Sequence, residues 1–137
     1  MQGWRFQLSL FANAVANAVN AEAAGKVDRW FDAWNDPQAA SRAATLAAVC
    51  ADSGDIHFYD RFSCVSGLED LNGQLTAVHT FMPGMRAERR GDVRHCQSRA
   101  LVDWVALGAD GQERGKGTNL FVFDAEGRIA EVTGFWA

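Results

Sequence analysis

The sequence predicts an α+β fold, with helices in the first part of the chain and a mostly antiparallel sheet in the last part. Up to about residue 82, apolar residues recur mainly at steps of three and four, which is the period of a helix. From about residue 85 onward apolar runs follow one another between turn-forming stretches such as Asp124-Ala-Glu-Gly127. Helices followed by meandering strands are typical of α+β architecture.

Length and composition predict one domain, residues 1–137, that can bury a core without disulfides or a structural metal. The three cysteines, Cys50, Cys64 and Cys96, are odd in number and lack the spacing of a zinc site, which fits a reducing cytoplasm. A net charge of -4 argues against a nucleic-acid-binding face. We therefore expect a cytoplasmic protein that binds neither nucleic acid nor metal.

The first predicted element is an amphipathic helix from Trp4 to Asn20. Its apolar residues share one helical face: Trp4, Leu8, Phe11, Val15 and Val19. The run is too polar and too short to span a bilayer, so no membrane association is expected. We treat residues 1–25 as an extra N-terminal helix that covers the sheet, a pocket mouth or a partner subunit.

Two further helices follow. Gly25 is predicted to interrupt the helical pattern, after which a second apolar stripe consists of Val27, Trp30, Phe31 and Trp34. Asn35-Asp36-Pro37 ends this helix and starts the next, with Pro37 at the first helical position of a helix that reaches about Ala51.

The period changes to two from Asp55, which predicts a short strand. Ile56, Phe58 and Asp60 share one face of this strand, and His57, Tyr59 and Arg61 share the other. Ser66-Gly-Leu-Glu69 is a predicted capping box that opens a helix ending before Pro83-Gly84. Its apolar stripe is Leu68, Leu71, Leu75, Val78 and Met82, with His79 on or beside the buried face.

The remaining strands are predicted near Met85 to Arg89, from Val93 to Leu107, from about Glu113 to Phe123, and from the turn at Gly127 to Trp136. If alternation is unbroken after Val93, one face carries Val93, His95, Gln97 and Arg99.

This order of elements resembles the nuclear transport factor 2-like superfamily, in particular its SnoaL-like and ketosteroid-isomerase-like branches. The resemblance covers about residues 26 to 137. The pieces that carry it are Leu46-Ala-Ala-Val-Cys-Ala-Asp52, Phe58-Tyr-Asp60, Gly67 with its helix, and Phe123-Asp124-Ala-Glu-Gly127-Arg128-Ile129. It implies a cone-shaped α+β barrel with one mostly apolar cavity, no cofactor, and a homodimer through the sheet or the N-terminal helix.

The resemblance also implies catalytic roles. Asp60 matches the aspartate that shuttles a proton in the isomerase branch, although Arg61 replaces the proline that usually follows it. Asn119 stands where that branch has a protonated aspartic acid that steadies an oxyanion, and the branch's tyrosine donor is absent. His79 and His95 are candidates for returning the proton. The alternatives are a turn aspartate at Asp60, a strand amide at Asn119 and structural histidines.

Several large side chains are candidate ligand contacts, with a simple core role as the alternative. They are Trp30, Trp34, Phe58, Arg99, Phe121 and Trp136. The resulting hypothesis is a cofactor-independent isomerase, cyclase or dehydratase that acts on a small hydrophobic ring-bearing or carbonyl compound. The alternative is a non-catalytic domain of the same fold that binds a small ligand or a protein. An open cavity shared by Asp60 and a histidine would favour the enzyme, and a cavity filled by aromatic side chains would favour the interaction domain.

Overall fold

The computed structural model describes residues 21–137, which form three helices packed against one six-stranded sheet. The helices are α1 (residues 21–35), α2 (Ala39–Val49) and α3 (Leu68–Phe81). The strands are β1 (His57–Tyr59), β2 (Cys64–Ser66), β3 (Arg86–Cys96), β4 (Arg99–Leu107), β5 (Glu113–Phe123) and β6 (Ile129–Trp136). The predicted helix from Trp4 to Asn20 lies outside the described residues. Among the described helices, none is both long and apolar enough to cross a membrane.

The strand order is β2-β1-β6-β5-β4-β3, and neighbouring strands are antiparallel except β1 and β6. The parallel contact brings the short strand β1, which is far upstream in the chain, beside the last strand. The predicted α+β cone with a mostly antiparallel sheet is therefore confirmed. Strand β2 has only three residues, and no sequence pattern predicted it.

Helix α1 packs aromatic side chains against part of the concave side of the sheet. Trp30 is fully buried, and its ring meets Phe121 edge-on at 5.8 Å between centroids and Phe58 at 6.0 Å. The predicted interruption at Gly25 is wrong, because α1 continues through it. A single glycine costs a helix only about 1 kcal/mol, and the buried side chains of Ala23 and Val27 on either side hold this stretch in place.

Helix α2 begins two residues later than predicted. Its first residue is Ala39, with Gln38 as N-cap, so Pro37 lies before the helix. The Asp36 carboxylate accepts hydrogen bonds from the Ser41 hydroxyl at 2.5 Å and from the Gln38 N–H at 2.9 Å. These two bonds hold the pKa of Asp36 below its usual range. Asp36 precedes α2, and its side chain thus stabilises the first turn of that helix.

The predicted capping box at the start of α3 is also wrong. The N-cap is Gly67, with φ of 92°, and it makes no side-chain capping bond. Ser66 belongs to β2 instead, and its hydroxyl lies 2.9 Å from Nδ1 of His57 on the paired strand β1. The strand pairing therefore takes the hydroxyl that the capping box would have used.

A turn divides the predicted strand from Val93 to Leu107. Gln97 and Ser98 have φ of 48° and 64° and connect β3 to β4 as a two-residue hairpin loop. Positive φ at both loop positions is the requirement of the tight hairpin whose twist matches its strands. Consequently His95 and Arg99 lie on different strands, and the predicted shared face does not form.

A buried arginine joins α2 to α3. Arg42 is fully buried, and its guanidinium donates to the carbonyls of Asp36 at 3.0 Å and Asn72 at 3.0 Å. It also donates to the Asn72 amide oxygen at 2.7 Å and the Thr76 hydroxyl at 2.8 Å. Burial lowers the pKa of Arg42, while the charge of Asp36 raises it. The guanidinium therefore connects the two helices inside the protein.

Arg128 plays a similar part at the other end of α2. Its guanidinium donates to the carbonyl of Cys50 at 2.7 Å and to that of Ala47 at 2.5 Å. A cation at the last carbonyls of a helix satisfies acceptors and complements the helix dipole. This contact attaches the turn before β6 to the end of α2.

The cysteines differ in accessibility, which gives a first prediction. Cys64 and Cys96 are exposed and Cys50 is buried, and burial raises the pKa of the Cys50 thiol to about 12. We expect Ellman's reagent to modify two thiols in the folded protein and the third only after denaturant unfolds it. Cys50→Ala should show two thiols in both states, whereas rapid modification of three thiols in the folded wild type would contradict the burial.

The same shift has a pH consequence. The unfolded chain releases the Cys50 proton near the ordinary pKa of 9.0, well before the folded chain does. Because the folded state then holds more protons than the unfolded state, the free energy of unfolding should fall as the pH rises above about 9. Cys50→Ala should remove the part of this loss of stability at alkaline pH that the Cys50 thiol causes.

Candidate functional site

A mostly apolar cavity of about 630 Å³ lies between the concave face of the sheet and helices α1 and α3. Its volume is in the range of small-molecule pockets, roughly 300 to 1,000 Å³. Aromatic side chains from four elements form much of its wall: Trp30, Trp34, Phe58, Trp104 and Trp136. Their rings surround the space without filling it, so a ligand can enter.

Two glycines on β5 make room for the indoles of this wall. A Cβ at Gly115 would lie 2.4 Å from Cζ3 of Trp136, and one at Gly117 would lie 2.7 Å from Cζ2 of Trp104. The two indoles meet edge to face with centroids 5.0 Å apart. The buried N–H groups of Trp30, Trp34 and Trp104 meet no acceptor within residues 21–137. The wall therefore offers a ligand ring surfaces rather than hydrogen-bond donors.

Polar groups meet the cavity where three strands lie side by side. Asn119 on β5 pairs directly with Gly134 on β6. On the other side of β6, the pairing of Phe58 with Val132 places Asp60, two residues further along, next to Gly134. Asn119, Gly134 and Asp60 thus form one row across the sheet, and all three line the cavity.

The Asn119 side chain borders the cavity. The residue is 7% exposed and belongs to the cavity lining. Because the amide carries both a donor and an acceptor, a ligand in the cavity can hydrogen-bond with it.

The Asp60 carboxylate is held in one orientation by its own turn. Its Oδ1 accepts the N–H of Phe62 at 2.8 Å, the N–H of Ser63 at 2.8 Å and the Ser63 hydroxyl at 2.9 Å. None of these bonds involves Oδ2. One oxygen therefore fixes the side chain of this cavity-lining residue, and the other has no hydrogen-bond partner within residues 21–137.

Arg61 does not neutralise Asp60. Its guanidinium lies over the Trp136 ring, 5.0 Å from the centroid, which is a cation–π distance. No ion pair between Arg61 and Asp60 occurs within residues 21–137. Tyr59 also faces away, with its ring stacked on that of His57 at 6.3 Å. The predicted alternation is confirmed for Phe58, Tyr59 and Asp60, but it is wrong for Arg61, which follows the end of β1 and reaches back over the Trp136 ring.

The histidines do not reach the cavity. Nε2 of His79 lies 2.7 Å from the carbonyl oxygen of Trp34, so it links α3 to the end of α1. His95 lies near the β3–β4 turn with its ring 6.3 Å from that of Phe123. Neither these two nor His57 is among the cavity-lining residues. The expected convergence of a histidine with Asp60 is therefore wrong, because helix packing and the hairpin turn place both rings elsewhere.

Two of the expected ligand contacts also lie outside the cavity. Arg99 is exposed, and its guanidinium donates to the carbonyl of Gln97 at 3.3 Å. Phe121 is fully buried behind Trp30 and belongs to the core. Trp30, Trp34, Phe58 and Trp136 do line the cavity.

The sequence interpretation missed several lining residues, which include Phe62, Gln74, Met82, Arg114 and Gly134. Arg114 pairs with Asp110 at 2.7 Å, and both are exposed on the β4–β5 side of the cavity. Gly134 could have been found only from its register opposite Asn119, since a glycine near the chain end has no distinctive pattern of its own.

Fold and site together define a cone-shaped α+β protein with a ligand-sized cavity, and comparison with solved structures finds proteins of similar fold. A proposed isomerase of the SnoaL-like family from Agrobacterium tumefaciens str. C58 matches with a TM-score of 0.80 and 20% identity, over 85% of this chain and 98% of that one. A proposed SnoaL-like polyketide cyclase from Jannaschia sp. CCS1 matches with a TM-score of 0.69 and 15% identity, over 86% of this chain and 87% of that one.

An NTF2-like protein of unknown function from Exiguobacterium sp. 255-15 also matches, with a TM-score of 0.65 and 18% identity, over 82% of this chain and 98% of that one. No family model matches the chain, and no curated protein does. At these identities the likeness concerns the fold. The chain has the fold that SnoaL-like and NTF2-like proteins share, as its sequence pattern predicted.

Proposed function

We propose that this protein is a cofactor-independent enzyme that moves a proton on a small, flat, ring-bearing carbonyl compound. The observation that carries the proposal is that an oriented carboxylate, Asp60, and an amide, Asn119, border the same glycine, Gly134, in the lining of an apolar cavity. A base and an oxyanion donor in a water-poor site are the two groups that enolisation needs. The names of two structural neighbours, a proposed isomerase and a proposed polyketide cyclase, support this class.

In the proposed reaction, Oδ2 of Asp60 accepts a proton from the carbon beside the substrate carbonyl. The electron pair of the broken C–H bond forms a carbon–carbon double bond, and the carbonyl π electrons move onto oxygen. The Asn119 amide, whose Oδ1 lies toward Gly134 in the ligand-free protein, turns over so that its Nδ2–H donates to that oxygen and stabilises the negative charge. An amide donates at any pH, unlike a carboxylic acid.

The histidine positions refine the reaction type. Because none of the histidines lines the cavity, Asp60 itself has to return the proton, to the same or a second carbon of the ligand. Such a one-base shuttle suits an isomerisation or an aldol-type cyclisation. A dehydration fits this site less well than an isomerisation, because a leaving hydroxyl needs a separate acid to protonate it.

The second candidate is a non-catalytic protein that binds a similar ligand. Two observations favour it: none of the three histidines lines the cavity with Asp60, and Oδ1 of Asp60 accepts three hydrogen bonds from its own turn, which give the carboxylate a structural role. The open cavity supports ligand binding under both candidates. The exposed Leu101 and Phe135 on the outer face of the sheet support the expected homodimer under both as well.

A thermal-shift screen tests ligand binding. We expect at least one of three compounds to raise the melting temperature by several degrees. The compounds are the ketone β-tetralone, the phenol β-naphthol and the lactone coumarin. A ligand at 100 times its dissociation constant stabilises a protein by about 2.7 kcal/mol. Asp60→Asn should change the shift, whereas Asp55→Asn, which removes the same charge from an exposed position, should not. No shift with any of the three compounds would contradict the proposal.

A further inference from the structure

Gly134 occupies the middle of the row that joins Asn119 to Asp60. A Cβ placed on Gly134 would lie 3.0 Å from Oδ1 of Asn119 and 3.5 Å from Cβ of Asp60. A side chain of any size would therefore stand between the two polar groups. The missing side chain leaves open the one space that both of them border.

The backbone does not require glycine at this position. The positive-φ glycines of the described chain are Gly67, Gly84, Gly91, Gly111 and Gly127, and Gly134 is not among them. It lies in the regular ladder of β6, where a glycine weakens a strand because it has no side chain to pack. A strand glycine without a conformational reason marks a close approach, either of another chain segment or of a ligand. Here the space opens onto the cavity.

We propose that Gly134 is a specificity-determining residue and that the space above it is the slot that receives the reacting edge of the ligand. This inference rests on the proposed function and deepens it. The slot accepts a thin, planar edge in which a C–H lies next to a C–O. It rejects a ligand whose carbons beside the oxygen carry methyl groups. The ligand class is thus flat enols, phenols and the ketones from which enols form. In all of them the ring carbons next to the C–O group carry only hydrogen.

The residues on either side of Gly134 along β6 confine the slot to this one position. The next row along the same strands consists of Phe121, Val132 and Phe58, which are all buried and leave no such gap. On the other side, Trp136 is seated against Gly115. The slot is therefore bounded along β6 by an apolar row at one end and an indole at the other, with polar groups only at Asn119 and Asp60.

Calorimetric titration with β-naphthol, a stable planar enol, tests the slot. We expect the wild type to bind β-naphthol at least about tenfold more tightly than the analogue methylated on both carbons beside the hydroxyl, since overfilling a packed site is costly. Gly134→Ala should weaken β-naphthol binding by about tenfold or more for the same reason. Gly73→Ala, which adds a methyl on the exposed side of α3 with no atom within 4 Å, should leave the affinity unchanged.

A second background separates filling of the slot from displacement of the Asn119 amide. In Asn119→Ala the amide that the added methyl would meet is gone while the methyl still fills the slot, so Gly134→Ala should again weaken binding by about tenfold. A loss that disappears in this background would overturn the slot, because the methyl would then act only by displacing the Asn119 amide. Circular dichroism melting of each variant checks that the fold is retained.

The remaining outcomes distinguish the two proposals. If β-naphthol binds and Gly134→Ala leaves its affinity unchanged, or if the methylated analogue binds as well, the slot is overturned while the cavity remains a ligand site. If neither compound binds the wild type at millimolar concentration, the inference and the proposed ligand class are both overturned.

Discussion

Replacing Asp60 by asparagine is expected to slow proton exchange on a bound ketone at least about a hundredfold, because a positioned general base contributes roughly 10²- to 10⁴-fold. The amide has nearly the shape of the carboxylate but cannot take up the proton. Its oxygen can still accept the N–H groups of Phe62 and Ser63, so the turn that orients the side chain should persist. The substitution therefore separates the chemical role of Asp60 from its structural role.

The exchange can be measured without knowing the natural substrate. β-Tetralone carries an acidic C–H beside its carbonyl, and its replacement by deuterium in deuterated water is followed by proton NMR. Wild type and Asp55→Asn should accelerate exchange equally over the buffer rate. If Asp60→Asn accelerates it within a few-fold of the wild type, Asp60 is not the base. A wild type that binds β-tetralone without accelerating exchange would favour the non-catalytic candidate.

The second large effect concerns stability. Arg42→Met should lower the free energy of unfolding by at least about 3 kcal/mol, because it removes the part-buried hydrogen bonds that the fully buried guanidinium donates. The acceptors are the carbonyls of Asp36 and Asn72 and the Asn72 amide oxygen, which the guanidinium now satisfies. Methionine fills much of the same volume, so the loss reflects hydrogen bonds more than a cavity.

Urea unfolding followed by tryptophan fluorescence measures this loss. Arg86→Met serves as the matched control, since Arg86 is 60% exposed and lies 4.0 Å from its partner Glu88. Exposed pairs of this kind contribute about 0 to 1 kcal/mol. Similar losses in the two variants would show that the buried network does not hold α2 to α3.

The helices, most strands and one half of the site could be predicted from the sequence because they follow from periodicity. Alternation along one short segment placed Asp60 with Phe58 and sent Tyr59 to the other face, and both line up as predicted. Such patterns are local and depend on backbone geometry alone. Trp136 was placed in the cavity wall by resemblance rather than by period.

The errors arose where distant parts of the chain decide the outcome. Gln97-Ser98 lacks the glycine or asparagine that usually marks a tight hairpin, so the turn that separates His95 from Arg99 left no signal. His79 lies on the correct helix, but the end of α1 takes its ring as a hydrogen-bond partner. Gly134 gains its importance only from the register between β5 and β6, which no single segment encodes.

The parallel contact between β1 and β6 has a consequence for how this molecule can diversify. Asp60, Gly134 and Asn119 all belong to the β1–β6–β5 side of the sheet, while Trp34, Gln74 and Val78 reach the cavity from the helices. Substitutions on the helices can therefore reshape the space for a different molecule while the spacing of carboxylate and amide stays fixed by the sheet ladder. Mutant libraries confined to the helical half therefore offer a route to ligands that differ away from the edge held between Asn119 and Asp60.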